Sequence, residues 1–236
     1  MDTLYSIQRS LFSVYNLLPI ISMITLLTFG LGLGNYGMIS IFMGEFALSV
    51  IVFLLRLVSH KVPGNTETKT IFSLFPTEAA PRFPSIWLAN MTFFFGALIL
   101  NAYQVYNIDP MKTVGSDPNV IAQIDTPIFK SKVNNRKTRC IMIMITCTVL
   151  ALVLVGYRAF FVEARTNIGG LDGGKLFMAV IAIAMGGGAA GLWYKITMDA
   201  PNFGLRNMDI FGISQQLVAV TQTDMKTMCE LKPAST

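Results

Sequence analysis

The stretch Pro81–Tyr106, PRFPSIWLANMTFFFGALILNAYQVY, decides the fold of this chain. It opens with prolines and a single Arg, places Trp87 just after a Pro-Ser pair, and continues as an apolar run. Asn90, Asn101 and Gln104 are embedded in that run. Proline suits the first turn of a helix and tryptophan suits the boundary between membrane and water. We therefore predict a transmembrane helix with a polar stripe that faces other protein.

The composition of the whole chain supports a membrane protein. Of its 236 residues, 53% are hydrophobic and 13% are charged, whereas soluble domains carry about 25% charged residues. About 20 apolar residues are needed to cross the hydrocarbon, and five segments qualify. We predict an all-α, multi-pass transmembrane helical bundle in residues 1–196 and a polar tail in 197–236. The first apolar run is interpreted as a retained helix and not as a cleaved signal. The predicted spans are 11–33, 36–55, 87–106, 140–161 and 176–194.

The net charge of +5 is better explained by basic loops that meet anionic lipid than by nucleic-acid binding. Two long polar loops, Arg56–Ser85 and Asn107–Arg139, separate the spans. In the tail, Asp209 is placed to cap a short amphipathic helix that runs to about Thr221. We expect the loops and the tail to bind neighbouring membrane or capsid proteins, with membrane lipid as the other partner. Lys and Arg are almost equally divided between the two sides, so the positive-inside rule does not orient the chain.

Glu45 lies near the middle of the second span, where an ionisable group is costly and normally faces the bundle interior. One interpretation is a proton or ion relay, which would make the chain a small transporter. The other is a structural carboxyl, protonated or not, that is hydrogen-bonded to a neighbouring helix. We favour the structural interpretation because the other spans carry no second carboxylate, His or Lys at similar depth.

The third span carries polar and small residues at steps of four and three, which places them on one face of a helix. Amide side chains on such a face hydrogen-bond to neighbouring helices. Packing in the bundle core is the favoured role, and a lining for a solvent or substrate channel is the alternative. The stripe consists of Asn90, Phe94, Ala97, Asn101 and Gln104.

Gly187 and Gly191 form a G-x-x-x-G pair in the fifth span, and such pairs permit close helix contact. The three cysteines, Cys140, Cys147 and Cys229, lack the spacing of a zinc site or a redox pair. We therefore expect no metal and no cofactor.

Several short motifs lie on one side of the predicted membrane. Phe83-Pro84-Ser85 begins the third helix and Gly156-Tyr157-Arg158 ends the fourth. Arg165 and Gly170-Leu171-Asp172-Gly173-Gly174 then lead into the fifth. In this order they resemble the second and third signatures of the type 2 phosphatidic acid phosphatase (PAP2) superfamily, over about residues 37–195. The resemblance implies a lipid phosphate-binding site formed by Lys61, Arg82, Arg158 and Arg165.

The departures from that family concern its catalytic groups. Trp87 stands where the second signature has a His, and Tyr157 replaces the Ser before the signature Arg. No His lies between Arg158 and Asp172, and His60 is the only one in the chain. A phosphohistidine mechanism needs a nucleophile and an acid/base partner. The resemblance therefore implies a member without catalytic residues.

The run PSIWLANMTFFFGALILNA and the tail segment GLRNMDIFGISQQLV also resemble multi-pass proteins of the internal membrane of large icosahedral DNA viruses. That resemblance implies a membrane scaffold beneath a capsid shell. Together these observations favour a non-enzymatic structural protein of a larger assembly, such as a virion internal membrane. A PAP2-like lipid phosphate-binding protein or phosphatase is the alternative, and a transporter that uses Glu45 is a third hypothesis.

Overall fold

The computed structural model describes residues 2–60, 84–107, 127–164 and 170–199. These residues form five long helices and one π-helical turn, so the described part of the chain is all-helical as predicted. The helices are α1 (Asp2–Gly32), α2 (Tyr36–His60), α3 (Ile86–Asn107), α4 (Pro127–Tyr157), which continues as the π-turn Arg158–Glu163, and α5 (Gly173–Asp199).

Each helix contains a segment that is long and apolar enough to cross a membrane, which confirms the five predicted spans. The fourth begins seven residues before its predicted start, because α4 carries a basic segment in helical continuity with its apolar part. The predicted tail helix from Asp209 to Thr221 lies outside the described residues. The spans are Ser10–Gly32, Tyr36–Leu55, Ile86–Asn107, Val133–Glu163 and Gly173–Thr197.

A tight turn joins α1 to α2. Gly34 has a φ of 62°, a left-handed conformation that costs glycine little. The Asn35 backbone N–H donates to Gly30 O (2.8 Å), which closes α1 with the hydrogen bond of a Schellman motif. The Asn35 side chain then begins α2, because its Oδ1 accepts from the N–H groups of Gly37 (3.0 Å) and Met38 (3.3 Å). Helices α1 and α2 therefore form a tight antiparallel hairpin.

Helix α3 is the centre of the bundle. Over an apolar stretch of 18 residues in its span, 61% of the residues are buried, against 17–28% in the corresponding stretches of the other four. One group of its side chains, which includes Phe93 and Ala97, packs with α2 and α5. A second group, which includes Trp87 and Phe95, packs with α4. The predicted polar stripe does face protein, because Asn90 and Asn101 are buried.

Of the glycines in the glycine-rich segment of α5, Gly186 contacts α3 most tightly, and not the predicted Gly187–Gly191 pair. A Cβ at Gly186 would collide with the carbonyl oxygen of Ala89 on α3. A Cβ at Gly187 would lie 3.8 Å from its nearest neighbour, a methyl group of Thr92, and one at Gly191 would have nothing within 4 Å. The glycine-rich segment of α5 therefore does bring two helices together, through a residue one position earlier.

Candidate functional site

Two polar clusters lie inside the bundle, and the first begins at a proline. Pro19 is inside α1, and because proline has no N–H, the carbonyl of Tyr15 four residues earlier loses its usual helical donor. The indole Nε1–H of Trp87 on α3 donates to that carbonyl (3.1 Å). The Tyr15 hydroxyl in turn donates to Leu154 O on α4 (2.7 Å). One proline thus creates an acceptor that links α1 to α3.

The π-turn at the end of α4 creates the ion pair of this cluster. Residues five apart in an α-helix point about 140° away from each other. A π-turn hydrogen-bonds each residue to the one five positions away, as Ala164 N does to Ala159 O (2.9 Å). This winding brings Arg158 and Glu163 to the same side, where Arg158 Nε donates to Glu163 Oε1 (3.1 Å).

The side chain of Arg158 is enclosed by the other helices. Its Nη1 donates to Asn16 Oδ1 on α1, and its guanidinium carbon lies 4.9 Å from the centre of the Trp87 ring and 5.8 Å from that of Tyr15. Only 4% of Arg158 is exposed. Ser85, at the start of α3, donates its hydroxyl to Glu163 Oε1 (2.5 Å). These contacts join α1, α3 and the π-turn at one end of the bundle.

The structure describes one of the four residues of the predicted phosphate site, Arg158. Lys61, Arg82 and Arg165 lie outside the described residues. Arg158 is inside the bundle, where Glu163 and Asn16 accept from its guanidinium. Asp172 caps α5, since its Oδ1 accepts from the N–H groups of Gly174 (2.9 Å) and Lys175 (3.4 Å).

Sequence reasoning did not find the partners of Arg158. The five-residue interval to Glu163 is not a neighbour spacing in an α-helix, and nothing in the sequence predicted a π-turn. Asn16 offered a signal, because it is an amide within an apolar run. The pairing of Glu163 with Arg158 could have been predicted only if the π winding between the two residues had been known.

The second polar cluster surrounds Glu45, which is fully buried in α2. Ser22 Oγ on α1 lies 2.9 Å from Glu45 Oε1 and 2.8 Å from Pro19 O. Ser49, one turn along α2, donates to the Glu45 carbonyl (2.9 Å) and accepts from Asn90 Nδ2 on α3 (2.7 Å). The cluster therefore connects α1, α2 and α3 at mid-membrane depth.

Two other sequence expectations concern sites outside these clusters. Cys140 and Cys147 are buried on one face of α4 and form no disulfide with each other, at the seven-residue interval that rules out a bond within one helix. Across the four described ranges, no three His, Cys, Asp or Glu side chains are grouped so as to hold a metal ion.

Gln104, the last residue of the predicted polar stripe, is partly buried near the end of α3.

Comparisons with protein families, with curated proteins and with solved structures find no match to this chain. Its function is therefore argued from the two clusters and from the arrangement of the helices.

Proposed function

We propose that this chain is a non-enzymatic, multi-pass structural membrane protein that forms part of a larger assembly. The observation that carries the proposal is the state of Arg158. Arg158 is the described residue of the predicted phosphate site. Its guanidinium donates to Asn16 and Glu163 inside the bundle. An arginine so enclosed links helices and is not presented to a substrate.

The second cluster supports the same conclusion. Ser22, Ser49 and Asn90 connect Glu45 and its backbone to two other helices, and Trp193 Nε1 on α5 donates to Ser40 on α2 (3.2 Å). Hydrogen bonds of this kind between membrane helices contribute about 1 kcal/mol each. The polar side chains in the described spans therefore hold the helices in one arrangement, as a scaffold requires.

The alternative of a lipid phosphate-binding protein would require Arg158 to exchange its carboxylate for a phosphate. Breaking a buried ion pair costs about 3–5 kcal/mol, which a bound phosphate would have to repay. A flotation assay with vesicles that contain phosphatidic acid tests this alternative directly. Binding that is lost in Arg158→Ala would favour it, and equal binding by both proteins would remove it.

The loops and the tail are proposed to carry the contacts with partners, which are neighbouring membrane or capsid proteins. The internal membrane of an icosahedral virion is one assembly with this organisation.

The test is crosslinking mass spectrometry on the native membrane after extraction in mild detergent. We expect stoichiometric partners crosslinked to lysines in the first turns of α4 and in the tail, namely Lys130, Lys132, Lys226 and Lys232. A denatured aliquot crosslinked in parallel controls for random contacts. A single monodisperse species of 26.0 kDa plus detergent, without crosslinked neighbours, would contradict the proposal.

A further inference from the structure

The Ser22 hydroxyl has two oxygen neighbours, Pro19 O and Glu45 Oε1, and only one hydrogen to donate to them. Ser22 Oγ lies 2.8 Å from Pro19 O and 2.9 Å from Glu45 Oε1, and both distances are typical of O–H···O hydrogen bonds. A serine hydroxyl has a single hydrogen, and a backbone carbonyl oxygen only accepts. Two separate hydrogen bonds need a second hydrogen, because a single hydroxyl hydrogen serves two acceptors only when it is shared between them. Glu45 is the only group of the three that can carry that second hydrogen.

We infer that Glu45 binds a proton on Oε1 and donates it to Ser22 Oγ, while the Ser22 hydroxyl donates to Pro19 O. This arrangement gives each of the two short contacts its own hydrogen. It also accounts for Glu45 Oε2, which is buried and has no hydrogen-bond partner among the described residues. In a neutral carboxylic acid, Oε2 is a carbonyl oxygen, and only one uncharged acceptor is then left without a donor. As part of a carboxylate it would share a full negative charge without a donor.

Among the residues that the structure describes, none forms an ion pair with Glu45. Glu45 lies nine residues after Tyr36, the start of its span, which is about 14 Å along the helix axis. On α1, the hydroxyl of Ser22 contacts the carboxyl group of Glu45. On α3, the amide of Asn90 donates to Ser49, which in turn donates to the Glu45 carbonyl. The charged side chains described on α5 are Lys175 and Lys195; Lys195 is exposed, and neither forms an ion pair with Glu45. A buried charge without a partner is strongly disfavoured, and such a group takes up a proton instead.

The site therefore has a ligand, a single proton, that closes a hydrogen bond between α1 and α2. The proton is enclosed, because Glu45 is fully buried. This goes beyond the scaffold role proposed above and does not depend on it. It also separates Glu45 from a relay, which must load and release its proton through a connected path.

Infrared difference spectroscopy in lipid bilayers tests the assignment. At neutral pH the wild-type protein is expected to show the C=O band of a protonated carboxyl, and Glu45→Gln is expected to lack it. Asp172→Asn is the matched control, because it removes a carboxyl group outside this cluster and Asn caps α5 as Asp does; the protonated band should stay in place. Loss of carboxylate bands alone in Glu45→Gln would overturn the assignment.

Stability measurements provide a second, independent readout. The amide of Gln can donate to Ser22 as the neutral acid does, so Glu45→Gln should keep the wild-type Tm. Glu45→Ala and Ser22→Ala should each lower it by at least about 2–4 °C. Thr148→Val controls for removal of a hydroxyl, since Thr148 bonds only within α4, to Met144 O. If Glu45→Gln lost as much as Glu45→Ala, the donor role would be wrong.

The two proposals fail separately in these experiments. A protonated Glu45 in a chain that purifies without partners would leave this inference standing and remove the assembly role. Crosslinked partners together with an ionised Glu45 would do the reverse. If Glu45→Ala does not fold, the infrared band and the Glu45→Gln variant still decide the question.

Discussion

Substitution of Gly186 by alanine is the sharpest test of how α3 and α5 pack. The new Cβ would collide with Ala89 O and would also lie 3.0 Å from Ala89 C and from Thr92 Cβ. Carbon atoms pack best at about 3.5–4.0 Å, so α5 would have to retreat from α3 by about half an ångström or more. The atoms in the way are backbone or lie next to it and cannot rotate aside. Overpacking of this kind costs about 1–3 kcal/mol.

Gly187→Ala provides the matched control, because the neighbouring Cβ would meet only a methyl group at 3.8 Å. Both variants gain the same helix propensity, up to about 1 kcal/mol, so the difference between them isolates the packing term. For a chain of this length that difference corresponds to a Tm about 2–12 °C lower for Gly186→Ala. The chain has two tryptophans, and both contact other helices, so their fluorescence during thermal unfolding in nanodiscs reports the loss of packing. Equal Tm values for the two variants would refute the proposed close approach.

Three further predictions concern the turns and the first polar cluster. Trp87→Phe leaves a buried carbonyl of α1 without a donor and should cost about 1–3 kcal/mol. Adding Pro19→Ala, which restores a backbone N–H, should recover part of that loss, and no recovery would argue against the proline-created acceptor. Arg158→Ala and Glu163→Gln should each cost about 3–5 kcal/mol as broken buried pairs, whereas replacing both by apolar residues should cost less than either. Gly34→Ala should lose about 1–3 kcal/mol at a left-handed φ while Gly34→Asn loses less, both measured as urea or SDS unfolding midpoints.

The spans, the hairpin and the central position of α3 were predictable because they depend on local signals. Hydrophobic length identifies a span whatever the other helices do. The Gly34-Asn35 pair leaves too little chain for anything except a turn between antiparallel helices. The stripe that begins at Asn90 predicted a protein-facing side for α3, since lipid offers amides no hydrogen bonds.

The details of the contacts were not predictable, because they depend on rotation and winding. Gly186, Gly187 and Gly191 are equally small in the sequence, and only the rotation of α5 about its axis decides which one faces Ala89. The pairing of Arg158 with Glu163 depends on a local change from α to π winding. Neither property is encoded by the period of apolar residues, which describes the side of a helix that is buried but not its contacts.

Polar residues inside membrane spans are rare enough that each one invites a functional interpretation, and the decisive question is how its hydrogen bonds are satisfied. Around Arg158, the guanidinium donates within the protein to the carboxylate of the π-turn and to the amide oxygen of Asn16 on α1. Trp87 on α3 donates to the proline-freed carbonyl of α1. Around Glu45, the two contacts of the Ser22 hydroxyl are matched once a single proton is included, and Oε2 has no partner among the described residues. A transport or phosphate site needs a polar group whose partner can be exchanged, whereas these groups already hold their partners from other helices. That difference is the physical argument for a scaffold, and it makes the helix-linking contacts, and not a substrate, the first target for mutation.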